Sequence, residues 1–501
     1  MNNKLILKVI GFILIIEAML LVLPMIIAFI YDEGDWKYFL ITALGVTVLG
    51  LIFYGLKTKK KNMHAIDGYF VVGLAWVVLS IVGAVPLCVS GSIPNFLDAI
   101  FEAVSGFTTT GVTVLKDVER LSHSMQFWRI MTQWIGGMGM LVFMLAISPV
   151  AMGGSAIHML RAEAPGPTTE KISPKISTTA KYLYLVYIIL TAAQFICLIF
   201  AGLSPYHSLL TAFSTMATGG FSYMNTSLAT LTMGQRDIVI IFMILAGINF
   251  NLIFLMATGK FKKALKNEEL RTYLITLVVV CVAIAVPVWI SASAGSISEI
   301  VHHSIFASAS VLTTTGFVSC DMNAWPWFAK YLIMLLMFVG ACSGSTSCGM
   351  KINRIGIMLK SIKDSLHGIV HPRSVSKVRY NGKEVQVEVI RGIRFYVCLL
   401  IVIFAFSIMI VCIDPKIDFV TAFSAVDATI NSNGIGFEGA AGTYADFAWY
   451  SKIVFMIDML IGRLEILPVV ILFSKLLTPI RFFELKVIKR IKSRYRNRES
   501  M

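Results

Sequence analysis

"AVSGFTTTGVTVL" occupies residues 103–115, and "SASVLTTTGFVSC" occupies 308–320. A single Thr-Thr-Thr-Gly step reads as a surface turn. Here each copy closes a short apolar stretch that stands between long hydrophobic runs. Two further stretches share the plan: "AFSTMATGGFSYM" at 212–224 and "AVDATINSNGIGF" at 425–437. In each, small residues precede a Thr- or Asn-rich step, then glycine. The leading glycines are Gly111, Gly219, Gly316 and Gly434. Their recurrence after roughly a hundred residues marks fused repeats of one module.

The surrounding chain is built for lipid. Its 501 residues are 57% hydrophobic and 14% charged, with a mean hydropathy of +0.79. A soluble chain carries about 25% charge. Apolar runs at 5–30, 37–56, 68–90, 126–150, 178–202, 234–258, 272–292, 327–360, 390–413 and 448–475 reach the ~20 residues that cross a bilayer core. The first run has no small-x-small cleavage site and is longer than a signal core, so it predicts a retained helix. Four shorter stretches, at about 94–107, 205–217, 299–313 and 417–430, cannot span. Each is followed at once by small polar residues and glycine. A helix that enters the membrane and returns as loop is tolerated only where its backbone lines protein or water.

The expected fold is an all-α polytopic membrane protein. Two N-terminal helices precede four fused helix–pore-loop–helix repeats around one central pore. The boundaries are 1–66 for the two-helix preface, 67–152 for repeat 1, and 153–260 for repeat 2 with its preceding loop. Repeat 3, with a broken second helix, covers 261–364. Repeat 4 covers 365–480, and 481–501 is a basic tail.

A net charge of +15 could indicate nucleic acid, but its distribution argues against that partner. Most Lys and Arg residues cluster in "KTKKK" (57–61), "KFKKALKNEELR" (260–271), a stretch at 351–394 and the tail. With alternating spans these fall on one side, which the positive-inside rule makes cytoplasmic, together with both termini. The opposite loops are acidic and would draw cations to a pore mouth. The eight cysteines form no C-x-x-C and no zinc-spaced cluster, and read as small apolar packing residues.

A potassium ion that sheds its water needs replacement oxygens. Backbone carbonyls supply them if the chain is extended and tightly curved, which calls for glycine. The candidate filter residues are Thr109, Thr110 and Gly111; Ala217, Thr218 and Gly219; Thr314, Thr315 and Gly316; and Ser432, Asn433 and Gly434. The short helix before each loop aims its partial negative end at the centre, which favours a cation. No acidic ring and no cofactor is needed; the metal is K+ on backbone oxygens. The fourth loop lacks the Thr-Gly step, so the ring is not four-fold identical and looser discrimination is expected.

Two features lie below this ring. "GACSGSTSCGM" (340–350) interrupts the run at 327–360. It reads either as close packing by small residues or as a broken helix whose loop obstructs the pathway. Its candidate gating residues are Cys342, Ser343, Gly344, Ser345, Thr346 and Ser347. Arg463 sits near the middle of the last span, where a charge is costly and marks a pathway. The alternative is a structural pair with Glu465 or Asp458. Glu17, in the preface, reads as structural.

The chain resembles the Trk/Ktr/HKT superfamily of potassium transporters, and within it the Trk-type uptake subunits (TrkH/TrkG). The resemblance covers essentially the whole chain. It rests on "FEAVSGFTTTG", "TQWIGGMGMLVF", "RAEAPGPTTEKISPKISTTAK", "AFSTMATGGFS", "GSTSCGMKINR" and "GRLEILP". It implies a filter at the four glycines, a gating loop at about 342–349 and a pore arginine at Arg463. It also implies a homodimer with one pore per subunit, in a bacterial inner membrane, and a cytoplasmic ring of nucleotide-binding TrkA-type subunits. The "SCG" step departs from a more glycine-rich pattern in the third repeat.

No G-x-G-x-x-G after a strand and no G-x-x-x-x-G-K-[ST] is present, so nucleotide control belongs to another chain. "SVSKVRYNGKEVQVEVI" (374–390) alternates around Asn-Gly and predicts a β-hairpin, a candidate docking surface. An enzyme is disfavoured: "HH" at 302–303 lacks a carboxylate at useful spacing, and no G-x-S-x-G occurs. A symporter coupled to protons or sodium stays open, because Glu102 and Asp427 lie on the short helices.

Overall fold

In the computed structural model, the described residues are 3–57, 65–139, 176–291, 296–371 and 377–475. The "RAEAPGP" loop, most of "KTKKK" and the tail at 481–501 lie outside them.

Four short helices, Phe96–Phe107, Pro205–Met216, Ile297–Leu312 and Phe419–Ile430, form the buried centre. Each begins at a residue suited to satisfy free amides. Asn95 accepts from Leu97 N, Ser204 from His207 N, Ser296 from Glu299 N, and Asp418 from both Val420 N and Thr421 N. Ser296 and Glu299 complete a reciprocal capping box. Each helix ends in the same fashion. One residue turns left-handed: Thr109 at φ 57°, Thr218 at 53°, Thr314 at 55° and Ser432 at 49°. The next amide returns to the helix, with Thr110 N on Ser105 O, Gly219 N on Ser214 O, Thr315 N on Ser310 O and Asn433 N on Ala428 O, at 2.8–2.9 Å.

The repeat architecture stands, but the spans are less regular than the apolar runs suggest. Among the described residues, six helices are long and apolar enough to cross a bilayer: Asn3–Ile30, Trp36–Tyr54, Ile66–Val89, Lys181–Phe200, Glu268–Ile290 and Val387–Val411. The run predicted as one crossing at 234–258 is a pair, Met233–Ala246 and Phe250–Ala257, bent by 104°. Its break at Gly247-Ile248-Asn249 arises because Asn249 caps a new helix through Asn251 N. The run at 327–360 breaks as expected, with Trp327–Met337 followed by Ile352–Val370. The last run also breaks. Trp449–Leu464 stops at Glu465 (φ 62°), and Ile466–Lys475 resumes. Among the described residues, the second helices of repeats 2, 3 and 4 are therefore interrupted beside the centre, where the sequence indicated one.

The spans divide by burial. Ile66–Val89 lies mostly inside the protein, whereas Val387–Val411 and Glu268–Ile290 show most of their side chains outward. In the preface, Asn3–Leu20 crosses Trp36–Tyr54 where Gly11 meets Gly50. A β-carbon at Gly11 would lie 2.7 Å from Gly50 O. The predicted hairpin forms, but it is short. Arg379–Tyr380 pairs antiparallel with Lys383–Glu384 around Asn381 (φ 50°) and Gly382 (φ 74°), the left-handed pair that a two-residue turn needs. From Val387 onward the expected strand is helix, because that alternation opens the long apolar run to Val411.

Candidate functional site

The four loops close on one another head to tail. A β-carbon on Gly111 would collide with Gly219 O. One on Gly220 would meet Thr315 O, one on Gly316 would meet Asn433 O, and one on Gly434 would meet Thr110 O. The order 1–2–3–4–1 makes a ring. The same four glycines have positive φ, at 87°, 76°, 84° and 81°. Each position thus excludes a side chain twice, by backbone conformation and by close approach.

This geometry corrects one register. The sequence aligned Gly219 with Gly111, Gly316 and Gly434. The φ pattern and ring contacts put Gly220 in that place and Gly219 one step earlier, beside Thr110, Thr315 and Asn433. The "TGG" step offers two adjacent glycines, and the neighbouring loop, not the local sequence, tells them apart. The other candidates come together at the ring: Thr109, Thr110, Ala217, Thr218, Thr314, Thr315, Ser432 and Asn433 are wholly buried there.

The side chains that hold the loops differ. In loops 1 and 3 a hydroxyl pair staples the turn: Thr108 Oγ1 to Thr110 Oγ1 at 2.8 Å, and Thr313 Oγ1 to Thr315 Oγ1 at 2.7 Å. Ser105 donates to Val112 O and Ser310 to Phe317 O, at 2.6 and 2.7 Å. Loop 2 has no such pair. Gln133, from the helix His123–Gly137, donates to Gly219 O at 2.6 Å and accepts from Ser214 Oγ at 2.9 Å and Phe221 N at 3.2 Å. In loop 4 Asn433 Nδ2 donates to Val311 O at 2.7 Å, and Asn431 Nδ2 to Asp427 Oδ1 at 2.7 Å. Behind loop 1, Glu102 takes Arg129 Nε at 2.5 Å and Val114 N at 2.9 Å. Arg129 also donates to Ser222 O at 3.1 Å and lies over the Phe221 ring. This buried pair clamps loops 1 and 2 together and meets its desolvation cost with added hydrogen bonds.

On one side of the ring a cavity of about 430 Å³ is lined by Gly111, Gly220, Gly316 and Gly434, with Lys116 and Asp321 at its margin. At this end Asp418 caps the fourth short helix. Hydrogen bonds to its carboxylate, the Thr421 hydroxyl foremost, hold it below the usual carboxylate range.

On the other side lies the interrupted loop 340–350. Cys348 N donates to Thr314 Oγ1 at 2.8 Å, and Cys348 Sγ sits 3.8 Å from Thr109 Oγ1, so the segment abuts loops 1 and 3. Cys342 N donates to Gly247 O at 3.1 Å, Phe250 N to Gly344 O at 3.1 Å, and Thr346 Oγ1 to Ala246 O at 3.3 Å. Ser345 Oγ contacts Ser347 Oγ at 2.8 Å, and Ser343 N reaches Glu269 Oε1. The loop therefore fills the bend of the second repeat.

Arg463 binds the same place. Its guanidinium donates to Thr346 O at 2.8 Å, Cys348 Sγ at 3.3 Å, Thr109 Oγ1 at 3.4 Å and Gly136 O at 2.5 Å, and it also reaches Gly137 O. It pairs with neither suggested acid. Glu465 takes Arg354 at 2.5 Å, and Asp458 accepts from Ser407 Oγ at 2.9 Å. Glu17 is buried with both carboxylate oxygens unpartnered.

Sequence reasoning missed Gln133, the Arg129–Glu102 clamp, Glu269 and the two extra helix breaks. Single intramembrane polar residues were the available signal for the first three. The "HH" pair is structural in its contacts: His302 meets Asp237 at 2.9 Å and His303 meets Ser319 at 2.8 Å. Among the described residues no cluster of His, Cys, Asp and Glu could hold a metal.

A buried ring of glycine loops, approached by four helix ends and backed by a broken helix with a cation, defines a membrane transport protein. Comparison with known sequences fixes the family. A model of the TrkH family, described as cation transport protein, matches residues 42–485, and the chain belongs to that family. It is similar to the "Trk system potassium uptake protein TrkH" of Salmonella typhimurium, 32% identical over 483 residues, which cover 95% of this chain and 99% of the relative. It is similar to the "Trk system potassium uptake protein TrkG" of Escherichia coli, 31% identical over 93% of this chain and 96% of the relative. Its structure resembles that of the potassium transporter TrkH from Vibrio parahaemolyticus, with a TM-score of 0.84 and 30% identity, covering 94% of this chain and 98% of the other.

Proposed function

We propose that this chain carries potassium into the cell through the ring of four loops. The head-to-tail closure of Gly111, Gly220, Gly316 and Gly434 carries the reading. It lines a passage with backbone oxygens rather than charged side chains, as desolvated potassium requires. The filter comprises Thr109, Thr110, Gly111, Ala217, Thr218, Gly219, Thr314, Thr315, Gly316, Ser432, Asn433 and Gly434, to which the register adds Gly220. Residues 342–347 and Arg463 form the gate. Their contacts with Thr109 and Thr314 support it, since they put an obstruction and a positive charge directly beneath the ring.

The hairpin side, rich in Lys and Arg, is the cytoplasmic one, with both termini there. The membrane is a bacterial inner membrane, and the unit is a homodimer with one ring per subunit. TrkA-type nucleotide-binding subunits dock on the hairpin side. Similarity to Trk system proteins supports these readings.

One observation favours a coupled symporter as the alternative. Asp427, behind loop 4, has a buried Oδ2 without a partner. Glu102 is already saturated by Arg129, Thr113 and Val114. In proteoliposomes with separate potassium, sodium and proton gradients, a reversal potential that follows potassium alone supports the passive pore. One that shifts with the proton gradient in wild type but not in Asp427→Asn supports coupling.

A further inference from the structure

Two consecutive carboxylates fasten two separate segments to one helix end. Asn267 caps Glu268–Ile290 through Leu270 N. Glu268 N donates to Asn381 Oδ1 at 2.7 Å, and Glu268 Oε2 accepts from Asn381 N at 3.0 Å. Lys360 also pairs with the Glu268 carboxylate. This reciprocal tie, made to the tip of the hairpin, fixes the helix end in place. The next residue faces the other way. Glu269 is buried, 5% exposed, and its Oε1 accepts from Ser343 N at 2.6 Å.

Ser343 belongs to the interrupted loop. The loop's backbone contacts to the second repeat, Cys342 N to Gly247 O and Phe250 N to Gly344 O, join neutral peptide groups at 3.1 Å. At 2.6 Å the bond from Ser343 N to the Glu269 carboxyl is shorter than these. Glu269 also lines a cleft of about 610 Å³ formed with the hairpin and the helix Ile352–Val370, together with Asn267, Asn353, Tyr380 and Asn381. Water in that cleft competes with the bond once the loop moves.

We propose that Glu269 is a positioning residue that latches the loop beneath the ring through the Ser343 amide. The inference rests on the reading of residues 342–347 as the gate. Cutting the latch raises leak through an otherwise unaltered ring, because the bond it removes is made to Ser343 of the loop and not to the ring.

The test uses the full-length protein in proteoliposomes without any partner subunit, with rubidium influx and the potassium-to-sodium ratio as readouts. Glu269→Ala raises basal influx by about tenfold, the scale of one buried hydrogen-bonding group left unsatisfied, and leaves the ratio unchanged. Glu269→Gln keeps an acceptor oxygen and restores influx to near the wild-type rate. Ser343→Pro removes the donor instead and reproduces the rise, which serves if Glu269→Ala does not fold. Alkylation of Cys348 from the hairpin side quickens in parallel, and a Cys348→Ser background removes that signal.

Arg463→Ala is the reference for the gate itself. If it raises influx while Glu269→Ala and Ser343→Pro do not, the latch is wrong and the gate stands. If none of the three raises influx, the gate reading fails and the latch with it. A rise accompanied by a collapsed ion ratio means general loosening and overturns the latch.

Discussion

Loops 1 and 2 reach one backbone shape by different means. In loop 1 the Thr108–Thr110 hydroxyl pair stands inside the turn, so the loop carries its own brace. Loop 2 has Gly219 where that second hydroxyl would be, and Gln133 supports it from a different helix. Yet Thr109 and Thr218 share a left-handed φ, and both loops present a glycine to the next carbonyl. The ring thus specifies backbone conformation at each wall and leaves its support to whatever side chains are near. A loop braced from within depends on its own sequence. A loop braced from outside depends on a residue that its own sequence does not reveal.

The largest expected effect tests the register. Gly220→Ala should cut rubidium uptake by more than about tenfold at equal surface expression, because strain at a positive φ adds to a backbone collision. Gly219→Ala meets only the Gln133 side chain and should be milder. Gly392→Ala, with nothing within 4 Å, should transport normally. The reverse order at 219 and 220 would restore the sequence-based alignment.

Next, Gln133→Leu strips a donor from Gly219 O and an acceptor from Ser214 and Phe221. Unmade buried hydrogen bonds cost about 1–3 kcal/mol each, so the potassium-to-sodium ratio should fall severalfold in whole-cell currents. Equal damage from Thr315→Val would erase the contrast between inner and outer bracing. That substitution loses one hydroxyl pair, about 1 kcal/mol, and should shift the ratio by about threefold or less.

The smallest effect concerns the entrance to loop 4. Asp418→Ala removes a helix cap and should lower the thermal midpoint in detergent by the equivalent of about 1 kcal/mol. Asp418→Asn should retain the cap. The Asp418 carboxyl is held below its unfolded value of about 3.9. Its contribution is therefore complete above that value and lost as pH falls through the lower folded one. Wild type should lose this increment below about pH 4, and Asp418→Asn should not.

Much of this was legible in the chain. Composition and run length fixed a membrane protein, and four aligned stretches fixed the repeats. Asn95, Ser204, Ser296 and Asp418 are ordinary caps, so the starts of the short helices were readable from local chemistry. "YNGK" gave the hairpin turn, since Asn-Gly suits its two left-handed positions. The choice between Gly219 and Gly220 was not readable, because both lack a side chain and only the neighbouring loop distinguishes them. The breaks at Gly247 and Glu465 were hidden inside apolar runs. Gly247 O finds its partner on another segment, at Cys342 N, and no local pattern records that. Gln133 and Glu269 act across 86 and 74 residues of chain, beyond any window of periodicity.

The head-to-tail contacts have a consequence for variation. In an assembly of four identical subunits, one codon change alters every wall of the passage at once. Here all four walls belong to one polypeptide, so a substitution at Asn433 alters one wall and spares three. Such a chain can drift one quarter at a time, provided each glycine keeps the carbonyl it rests on. Asn433 shows how one wall can differ: its amide bonds to its own helix like the others, while its side chain bonds to Val311 of the preceding quarter.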